Sequence, residues 1–444
     1  MRRILIIGSG KSTSYLLKYL LDKASLESLF ITVADIHIEQ AVQLIGNNPN
    51  AEAIQLDISN DALRTNLIKN ADIVVSMLPA HLHIEIAKDC IRFEKHLVTA
   101  SYVSAEMQLL DEDAKAKGLI FLNEIGVDPG LDHMSAMQIL DRLRSEGAEI
   151  NTFESYTGGL IAPESDDNLW HYKFTWNPRN VVLAGQGAAA KFLDEGSIKY
   201  MAYNQLFKQT KPLQIDNFGD FEVYANRDSL KYKAIYGLKN IKTLYRGTIR
   251  RAGFCKAWDV FVSLGMTDDS YTIEDSEHMS YRDFTNAYLP YHNTNTIEEK
   301  LRHQLKINDE NLWNKLLELD LFNANKRVKL KNATPAQILQ KILSEPWSLS
   351  QYDKDMVVMY HKFGYKRHDT SHQTNASMVI LGETQTFTAM AKTVGLPVAI
   401  ATLAILNGKI TSPGVQIPIA KNIYQPILEE LQQYGIIFQE KEIF

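Results

Sequence analysis

Two closely spaced glycines near the N-terminus have the pattern of a phosphate-binding turn. Gly8-Ser9-Gly10 follows the apolar run Arg3–Ile7 and leads into Thr13–Leu21, whose apolar residues recur at helical spacing. In such a turn, backbone N–H groups and the positive end of the helix dipole bind the pyrophosphate of a dinucleotide. Thr13 replaces the third glycine of the fingerprint, which predicts a slightly larger separation of helix and strand. The predicted coenzyme-binding residues of this segment are Gly8, Ser9, Gly10, Lys11, Ser12 and Thr13, and a solvated lysine remains the alternative for Lys11.

Residues at the ends of the following strands extend this prediction. Asp35 ends the second predicted strand, where a carboxylate can hydrogen-bond the adenosine ribose, and no arginine follows closely to bind a 2′-phosphate. This pattern favours NAD over NADP, with His37 as an imperfect candidate for contacting a 2′-phosphate. Ligands of parallel sheets collect at the carboxyl ends of the strands, which adds four predicted coenzyme contacts: Asp57, Ile58, Leu78 and Pro79.

The elements that must position these residues alternate between strand-like and helix-like patterns, which predicts a parallel sheet covered by helices. Six strands are predicted, at Arg3–Ile7, Leu29–Ala34, Ala53–Leu56, Ile73–Met77, His96–Thr99 and Ile120–Leu122. Residues 1–127 are therefore a predicted Rossmann-like domain of an α/β protein. Residues 128–273 have the mixed pattern of an α/β substrate domain, and residues 274–350 that of a small helical subdomain.

The composition is that of a globular protein with more than one domain. The chain has 444 residues, of which 45% are hydrophobic and 23% are charged. Its net charge of −6 argues against a nucleic-acid partner. Cys90 and Cys255 are too few for a disulfide framework and lack metal-site spacing, so we expect a reducing compartment and no metal. No uninterrupted apolar run approaches about 18 residues, so we expect a cytoplasmic protein without a membrane partner.

Motifs distributed in order along the chain are more specific. They are Thr99-Ala100-Ser101-Tyr102, Asn123–Met134, Tyr156–Glu164, Trp170–Trp176, Asn226-Arg227-Asp228-Ser229, Arg246–Arg250, His361–Gly364 and Thr393–Ala401. Together they resemble the saccharopine dehydrogenase family, in its glutamate-forming branch. The resemblance implies oxidation of saccharopine with NAD or NADP, of which the Asp35 pattern favours NAD, and it implies a homodimer. It also implies that residues from about 395 to 444 rejoin the first domain and that 351–394 belong to the second.

The resemblance also implies which residues bind and react. The implied substrate contacts are Ser101, Tyr102, Asp128, Arg227, Thr248, Ile249 and Arg250. Val127 should lie near the nicotinamide, and Trp176 is an implied coenzyme contact, with Lys173 a weaker site candidate. Arginine suits a substrate with three carboxylates because its guanidinium is permanently charged and binds carboxylates in a bidentate manner.

Asp128 and Tyr102 are the implied catalytic residues. Oxidation of a secondary amine needs a base to take the amine proton and activate water, and Asp128 is the best-placed carboxylate. Capping of the helix that begins near Leu131 is an equally weighted alternative for Asp128. Thr157 stands where many family members have cysteine, so no thiol acts there. His133 and His171 lie in motif segments, and a structural role is the simpler interpretation of each.

Two other functions remain open on the sequence. A related enzyme, such as a carboxynorspermidine or homospermidine synthase, would form or cleave a different secondary amine and would not need both arginines. A dinucleotide-binding sensor without catalysis is the alternative from another class. The replacement of two motif positions by Thr13 and Thr157 slightly favours this sensor, whereas Asp128, Arg227 and Arg250 argue against it.

Overall fold

The chain folds into two compact units. A computed structural model describes residues 1–368 and 370–443. Unit 1 comprises Met1–Ile150 and the chain from Tyr365 onward, and unit 2 comprises Asn151–Gly364. Each unit is described separately.

Unit 1 is built on a seven-stranded sheet in the order β15-β6-β5-β4-β1-β2-β3, where β15 is Gly414–Gln416 and every neighbouring pair is parallel. This order is that of a Rossmann-like fold with one added edge strand. The strands of its N-terminal part are β1 Arg2–Ile7, β2 Leu29–Asp35, β3 Ala51–Gln55, β4 Ile73–Ser76, β5 His96–Thr99 and β6 Ile120–Leu122. The helices are α1 Ser14–Ala24, α2 Glu39–Ile45, α3 Asp61–Lys69, α4 His83–Phe93, α5 Ala105–Gln108, α6 Asp111–Ala116 and α7 Leu131–Ser145.

The central strands read as continuous apolar runs because helices cover both faces of the sheet. All four residues of β4 are buried, as are the last four of β1. Leu5, Val74, Leu97 and Phe121 from successive strands pack into one core with the inner faces of the helices. The six predicted strands are all present, and each observed end lies within two residues of the predicted one.

The returning segment completes unit 1. Its elements are β14 Thr370–Leu381, α16 Ala389–Leu406, β15 Gly414–Gln416, α17 Lys421–Gln433 and β16 Gln439–Ile443. Strand β15 extends the parallel sheet beside β6, and β14 pairs with β16 in antiparallel register. Helix α16 is long and apolar enough to cross a membrane by length and composition, yet 78% of it is buried. It packs against α1, α17 and the sheet strands β4 and β5, so it serves here as a core helix.

Unit 2 contains a mixed sheet with the strand order β10-β11-β12-β7-β13, flanked by the β8–β9 hairpin. Its strands are β7 Glu149–Ile161, β8 Ala190–Asp194, β9 Ser197–Met201, β10 Lys211–Ile215, β11 Gly219–Ala225, β12 Thr243–Arg251 and β13 Asp355–Arg367. Its helices are α8 Pro178–Val182, α9 Tyr203–Leu206, α10 Lys231–Ile235, α11 Phe254–Leu264, α12 Tyr281–Asn286, α13 Ile297–Leu305, α14 Glu310–Glu318 and α15 Pro335–Ser344. Strands β10, β11 and β12 are antiparallel, whereas β12 and β7 run parallel.

Aromatic side chains form the core of unit 2. Three tryptophans, Trp170, Trp258 and Trp347, are almost fully buried. The ring centroid of Trp347 lies 5.2 Å from that of Trp170 and 6.0 Å from that of Trp258. The predicted helical subdomain corresponds to α12–α15. Capping boxes begin α12, α13 and α15, which explains why these short helices start at defined residues.

The unit boundaries differ from the predicted domain limits. The sequence predicts a change of domain after residue 127, whereas unit 1 continues to Ile150 because α7 packs against α17. The sequence also predicts a return near residue 395, whereas the chain re-enters unit 1 at Tyr365. The pairing of β14 with β16 joins this earlier segment to the C-terminal end of the chain. Neither contact leaves a local signal in the sequence.

Candidate active site

The first turn of unit 1 has the geometry of a phosphate-binding loop. Gly8 has φ +101°, and a Cβ at this position would lie 2.9 Å from the carbonyl carbon of Met77, so only glycine fits. A Cβ at Gly10 would meet no heavy atom within 4 Å. The space beside Gly10 is therefore open, and a glycine there leaves room for a phosphate against the backbone.

The start of α1 offers donors to an anion. Thr13 precedes the helix, and its hydroxyl donates to the Gly10 carbonyl at 2.7 Å rather than capping the helix. The first turn contains no acidic residue. The buried Ser14 hydroxyl has no hydrogen-bond partner among the residues that the structure describes. Free backbone N–H groups and an unpartnered hydroxyl at a helix start fit the pyrophosphate of a dinucleotide.

Close helix packing around this turn comes from a glycine that the sequence motif does not include. Gly395 of α16 faces the start of α1, where a Cβ would lie 2.8 Å from the Leu16 nitrogen and 2.9 Å from the Ser12 carbonyl oxygen. Gly395 thus permits close contact with α1, although Thr13 occupies the third motif position. The residue lies in the Thr393–Ala401 motif, but its partner could not be read from the sequence.

Asp35 lies at the carboxyl end of β2 and is tied to the same turn. One carboxylate oxygen accepts hydrogen bonds from the backbone N–H and the hydroxyl of Ser9, at 2.5 and 2.9 Å. The other oxygen accepts from the backbone N–H of His37 at 2.9 Å. Lys11 is exposed and Ser12 is half-buried beside this turn. A negative charge is therefore fixed where the adenosine ribose of a coenzyme would bind.

The other predicted coenzyme contacts follow the neighbouring strands. Asp57 and Ile58 come after β3, and Leu78 and Pro79 come after β4, so all four lie beyond carboxyl ends of the same parallel sheet. Asp57 is exposed, and hydrogen bonds from the backbone N–H and hydroxyl of Ser59 lower the pKa of its carboxyl group.

The loops after β5 and β6 bring the two predicted catalytic residues together. The Tyr102 hydroxyl donates to an Asp128 carboxylate oxygen at 3.2 Å. Tyr102 is 37% exposed and Asp128 is half-buried, so both are accessible to a small molecule. The carboxylate at the start of α7 is that of Asp132, which accepts from the Gly130 N–H at 2.6 Å. Val127, predicted to lie near the nicotinamide, is buried beside them.

Glu124 holds these loops in place, a role that the sequence did not reveal. It has φ +55°, its backbone N–H donates to the Ser101 carbonyl at 3.1 Å, and its carboxylate accepts from the Val103 N–H at 3.0 Å. The other carboxylate oxygen lies 2.8 Å from His133 Nε2. His133 therefore has a structural partner, as does the exposed His171, which pairs with Asp166 at 2.9 Å.

A guanidinium without a carboxylate partner marks the predicted substrate residues of unit 2. Arg250 is 3% exposed, and no ion pair of Arg250 occurs within the described residues. Its guanidinium carbon lies 5.1 Å from the Tyr172 ring, 5.8 Å from that of Tyr224 and 5.4 Å from that of Phe254. One nitrogen donates to the Ile249 carbonyl at 2.8 Å, while Nε is buried without a partner. A buried charge is costly without a counterion, so this site favours an anionic ligand.

Tyr224 connects the remaining predicted substrate residues to Arg250. Burial raises the pKa of the Tyr224 phenol, and Arg250, a hydrogen bond with Thr248 and Arg227 oppose this rise. Tyr224 and Thr248 face each other in the β11–β12 register. Arg227 is exposed and has φ +42°. The structure thus brings together a group that we call the arginine cluster: Tyr172, Tyr224, Arg227, Thr248 and Arg250.

The other predicted residues of unit 2 have different surroundings. Ile249 is fully buried, so only its backbone is suited to ligand contact. Trp176 is half-buried beside Tyr172. Burial raises the pKa of the Tyr172 phenol, and the Trp176 side chain partly offsets this rise. Lys173 is buried in ion pairs with Asp353 and Asp167, each at 2.8 Å, which satisfy its charge without a ligand.

The family cysteine is replaced by a polar residue next to the arginine cluster. Thr157 pairs with Thr248 in the β7–β12 register. Its hydroxyl is buried and has no hydrogen-bond partner within residues 1–368 and 370–443. A threonine hydroxyl can donate or accept a hydrogen bond, but it does not readily ionise.

Comparison with known proteins gives the same family for both parts of the chain. The family profile of the saccharopine dehydrogenase NADP binding domain matches residues 4–122, and that of the saccharopine dehydrogenase C-terminal domain matches residues 126–436. Saccharopine dehydrogenase [NADP(+), L-glutamate-forming] of Saccharomyces cerevisiae is 32% identical over 100% of this chain and 99% of its own length. The protein of the same name from Pyricularia oryzae is 33% identical, with the same coverage.

Longer relatives share the same region. The mitochondrial alpha-aminoadipic semialdehyde synthase of Bos taurus is 32% identical over 98% of this chain, which spans only 47% of that protein. Among solved structures, the homospermidine synthase of Legionella pneumophila in complex with NAD has a TM-score of 0.55 at 10% identity, over 100% of this chain and 91% of its own. That likeness is one of fold alone.

A solved structure of similar sequence agrees over the full length. Apo saccharopine dehydrogenase (L-Glu forming) from Saccharomyces cerevisiae superposes with a TM-score of 0.91 at 31% identity, covering 100% of both chains. Together with the two profiles, which account for nearly all residues, this match identifies the chain as a member of the saccharopine dehydrogenase family.

Proposed function

We propose that the protein is a glutamate-forming saccharopine dehydrogenase, which converts saccharopine, NAD(P)⁺ and water into L-glutamate, 2-aminoadipate 6-semialdehyde and NAD(P)H, with release of one proton. The observation that carries this proposal is the buried Arg250, whose charge has no carboxylate counterion within the described part of the chain. A substrate with three carboxylates supplies that counterion. The full-length relatives named for this reaction support the same conclusion.

The arginine cluster is suited to binding the carboxylates. Arg250 and Arg227 flank Tyr224, and the Thr248 hydroxyl lies beside its phenol. Guanidinium groups bind carboxylates through paired hydrogen bonds, and low solvent exposure strengthens those bonds. We assign Arg227, Thr248, Arg250 and the Ile249 backbone to saccharopine binding. The sequence motifs assign Ser101 and Tyr102 to contacts with the same substrate.

Asp128 is assigned as the general base. Held by the Gly8–Thr13 turn and Asp35, the coenzyme would supply the hydride acceptor for the lysyl-side carbon beside the secondary amine. Asp128 takes a proton from the protonated secondary amine and passes it to solvent, and this is the proton released overall. After hydride loss has left an iminium group, Asp128 takes a proton from the water that adds to the lysyl-side carbon and returns it to the nitrogen. Collapse of the adduct breaks the carbon–nitrogen bond, leaving the aldehyde and the amino group of glutamate. Tyr102, which donates to Asp128 at 3.2 Å, orients the carboxylate.

We further propose that NAD is the preferred coenzyme. The Asp35 carboxylate is held at the end of β2 by Ser9 and His37, where it can accept from a ribose hydroxyl and would repel a 2′-phosphate. The matching family profile and the yeast relative carry NADP in their names, so this chain would depart from them in coenzyme choice. Comparison of kcat/KM for NAD and NADP tests the departure.

The reaction itself is tested by mixing the purified protein with saccharopine and either coenzyme. Absorbance of reduced nicotinamide should rise, and glutamate should accumulate in equal amount. Asp128→Asn serves as the matched control because it keeps the shape of the side chain but removes the base. Binding of NAD without any reduction would favour the sensor alternative. Reduction of the coenzyme in the presence of carboxynorspermidine or homospermidine, but not of saccharopine, would favour the polyamine alternative.

Cellular context and assembly follow from the same assignment. We propose a cytoplasmic homodimer that acts in lysine metabolism. Both cysteines are buried free thiols, in keeping with a reducing compartment. Light scattering of the purified protein at several concentrations measures the oligomeric state, and cell fractionation measures the location.

A further inference from the structure

A buried histidine connects the centre of the parallel sheet to Ser101. His83 begins α4 and is 4% exposed. Its Nδ1 lies 2.8 Å from the Ser76 hydroxyl oxygen in β4, and its Nε2 lies 2.7 Å from the Ser101 hydroxyl oxygen. Nε2 is also 3.2 Å from the hydroxyl of Thr99 in β5, which accepts from the Ser101 backbone N–H at 3.3 Å.

The network leads from the core towards a ligand-accessible position. Ser76 and Thr99 are almost fully buried, whereas Ser101 is half-buried in the loop that also carries Tyr102. The Ser101 carbonyl accepts from the Glu124 N–H at 3.1 Å, so backbone and side chain of Ser101 are held by different residues. Both ring nitrogens of His83 thus have hydroxyl neighbours within hydrogen-bond distance.

The hydrogen bonds have a direction. Burial lowers the pKa of His83 to about 4, so at neutral pH one ring nitrogen donates and the other accepts. Within the described residues, His83 Nδ1 is the sole hydrogen-bond partner of the Ser76 hydroxyl. Ser76 must therefore donate to Nδ1, because a buried hydroxyl donor without an acceptor is costly. The ring proton then resides on Nε2 and is donated to Ser101, the nearer of its two hydroxyl neighbours.

We propose that His83 is a positioning residue for the substrate, which donates from Nε2 to the Ser101 oxygen and thereby directs the Ser101 hydroxyl proton towards a substrate carboxylate. The inference rests on the proposed function, in which Ser101 contacts saccharopine. With its oxygen occupied by His83 as donor, Ser101 acts as a donor to the ligand. That polarity suits a carboxylate and disfavours an ammonium group.

A double-mutant cycle distinguishes this role from a general structural one. We expect His83→Met and Ser101→Ala each to lower kcat/KM for saccharopine about tenfold, the usual effect of one hydrogen bond to a charged group. The double variant should be no worse than Ser101→Ala alone, because His83 acts through Ser101. The KM for the coenzyme should stay unchanged in all three. His83→Gln, whose amide can still donate near the Nε2 position, should recover most of the loss.

His96 provides a matched control. It lies in β5 of the same sheet and accepts the Ile120 N–H through Nδ1 at 3.0 Å, without contacting Ser101. His96→Met should leave kcat/KM for saccharopine within about twofold of the wild type. Should His83→Met fail to fold, His83→Asn replaces it in the cycle, since its shorter amide keeps the buried site polar but does not reach Ser101.

The outcomes separate the inference from the proposed function. Wild-type protein that does not oxidise saccharopine overturns both. Two results overturn the positioning role alone when the wild type oxidises saccharopine. In one, the loss of kcat/KM in the double variant equals the product of the two single losses. In the other, His83→Gln loses as much kcat/KM as His83→Met. A parallel rise in the coenzyme KM also overturns it, because the defect would then lie in the sheet as a whole.

Discussion

Asp35 and Ser9 are joined by two hydrogen bonds, from the Ser9 backbone N–H at 2.5 Å and from its hydroxyl at 2.9 Å, to the same carboxylate oxygen. This contact fixes the end of β2 against the turn between β1 and α1. The acidic residue therefore has two functions to separate by mutation: it shapes the loop, and it places a negative charge beside the ribose site.

Asp35→Asn separates these functions because the amide oxygen can still accept from Ser9. We expect the ratio of kcat/KM for NAD to that for NADP to fall about tenfold, or ~1.4 kcal/mol, as the repulsion of the 2′-phosphate is lost. Asp72→Asn is the control, since that carboxylate also accepts from a backbone N–H of β1, at 2.7 Å from Arg3, but precedes β4. Equal changes for both coenzymes in Asp35→Asn would remove the residue from the ribose site.

Arg250→Met should separate activity from stability. Removing a guanidinium that lacks a counterion should leave the unfolding midpoint unchanged or raise it. The transition-state stabilisation measured by kcat/KM for saccharopine should fall by about 2–5 kcal/mol. Arg64→Met is the contrasting variant, because Arg64 is similarly buried but paired with Asp89 at 2.7 Å. That change should destabilise the protein by about 3 kcal/mol. Thermal unfolding and steady-state kinetics measure both effects, and a destabilised Arg250→Met with normal kinetics would contradict the ligand role.

Arg227→Ala tests the exposed member of the arginine cluster. We expect the transition-state stabilisation measured by kcat/KM for saccharopine to fall by about 2–5 kcal/mol, because substrate binding would bury this charge against a carboxylate. Arg302→Ala removes an arginine paired with Glu310 at 2.7 Å on the surface of α13, and it should change kcat/KM by less than about twofold. Unchanged kinetics in Arg227→Ala would withdraw the assignment of this residue.

Asp128→Asn should lower kcat by about 10²–10⁴-fold, the usual contribution of a general base. Tyr102→Phe should lose about tenfold in rate, because the Asp128 carboxylate would lose the hydrogen bond that orients it. Asp132→Asn is the matched control, because its carboxylate accepts from the Gly130 N–H at 2.6 Å, at the start of α7. It should lower the unfolding midpoint while kcat stays within about twofold of the wild type. A kcat of Asp128→Asn close to that of the wild type would assign the base elsewhere.

The parallel sheet could be predicted because each central strand carries its own local signal. Buried β4 and β5 read as short apolar runs, and the polar residues that follow each strand mark one edge of the sheet. The limits of the units could not be predicted in the same way. They depend on the packing of α7 against α17 and on the pairing of β14 with β16, contacts between segments far apart in sequence.

The candidate site shows the same division. Gly8, Asp35 and the two arginines stand in motifs whose chemistry is visible in their residue types. Glu124 holds the loops through a backbone with positive φ and through contacts with Val103 and His133. Such contacts cannot be predicted from the residue type. Likewise, the lack of a counterion for Arg250 becomes visible only when its surroundings of Tyr172, Tyr224 and Phe254 are known.

The buried neutral His83 should make stability depend on pH. Burial lowers its pKa from 6.5 to about 4, so below pH 6.5 the unfolded chain binds a proton that the folded chain does not. The contribution of His83 is therefore fully present above pH 6.5 and is lost as pH falls towards 4, by ~3 kcal/mol in total. Thermal unfolding midpoints of the wild type and His83→Gln, measured from pH 7 to pH 4, should converge as pH falls. Parallel curves for the two proteins would show that His83 titrates in the folded protein as it does in the unfolded chain, and they would remove the basis for its fixed tautomer.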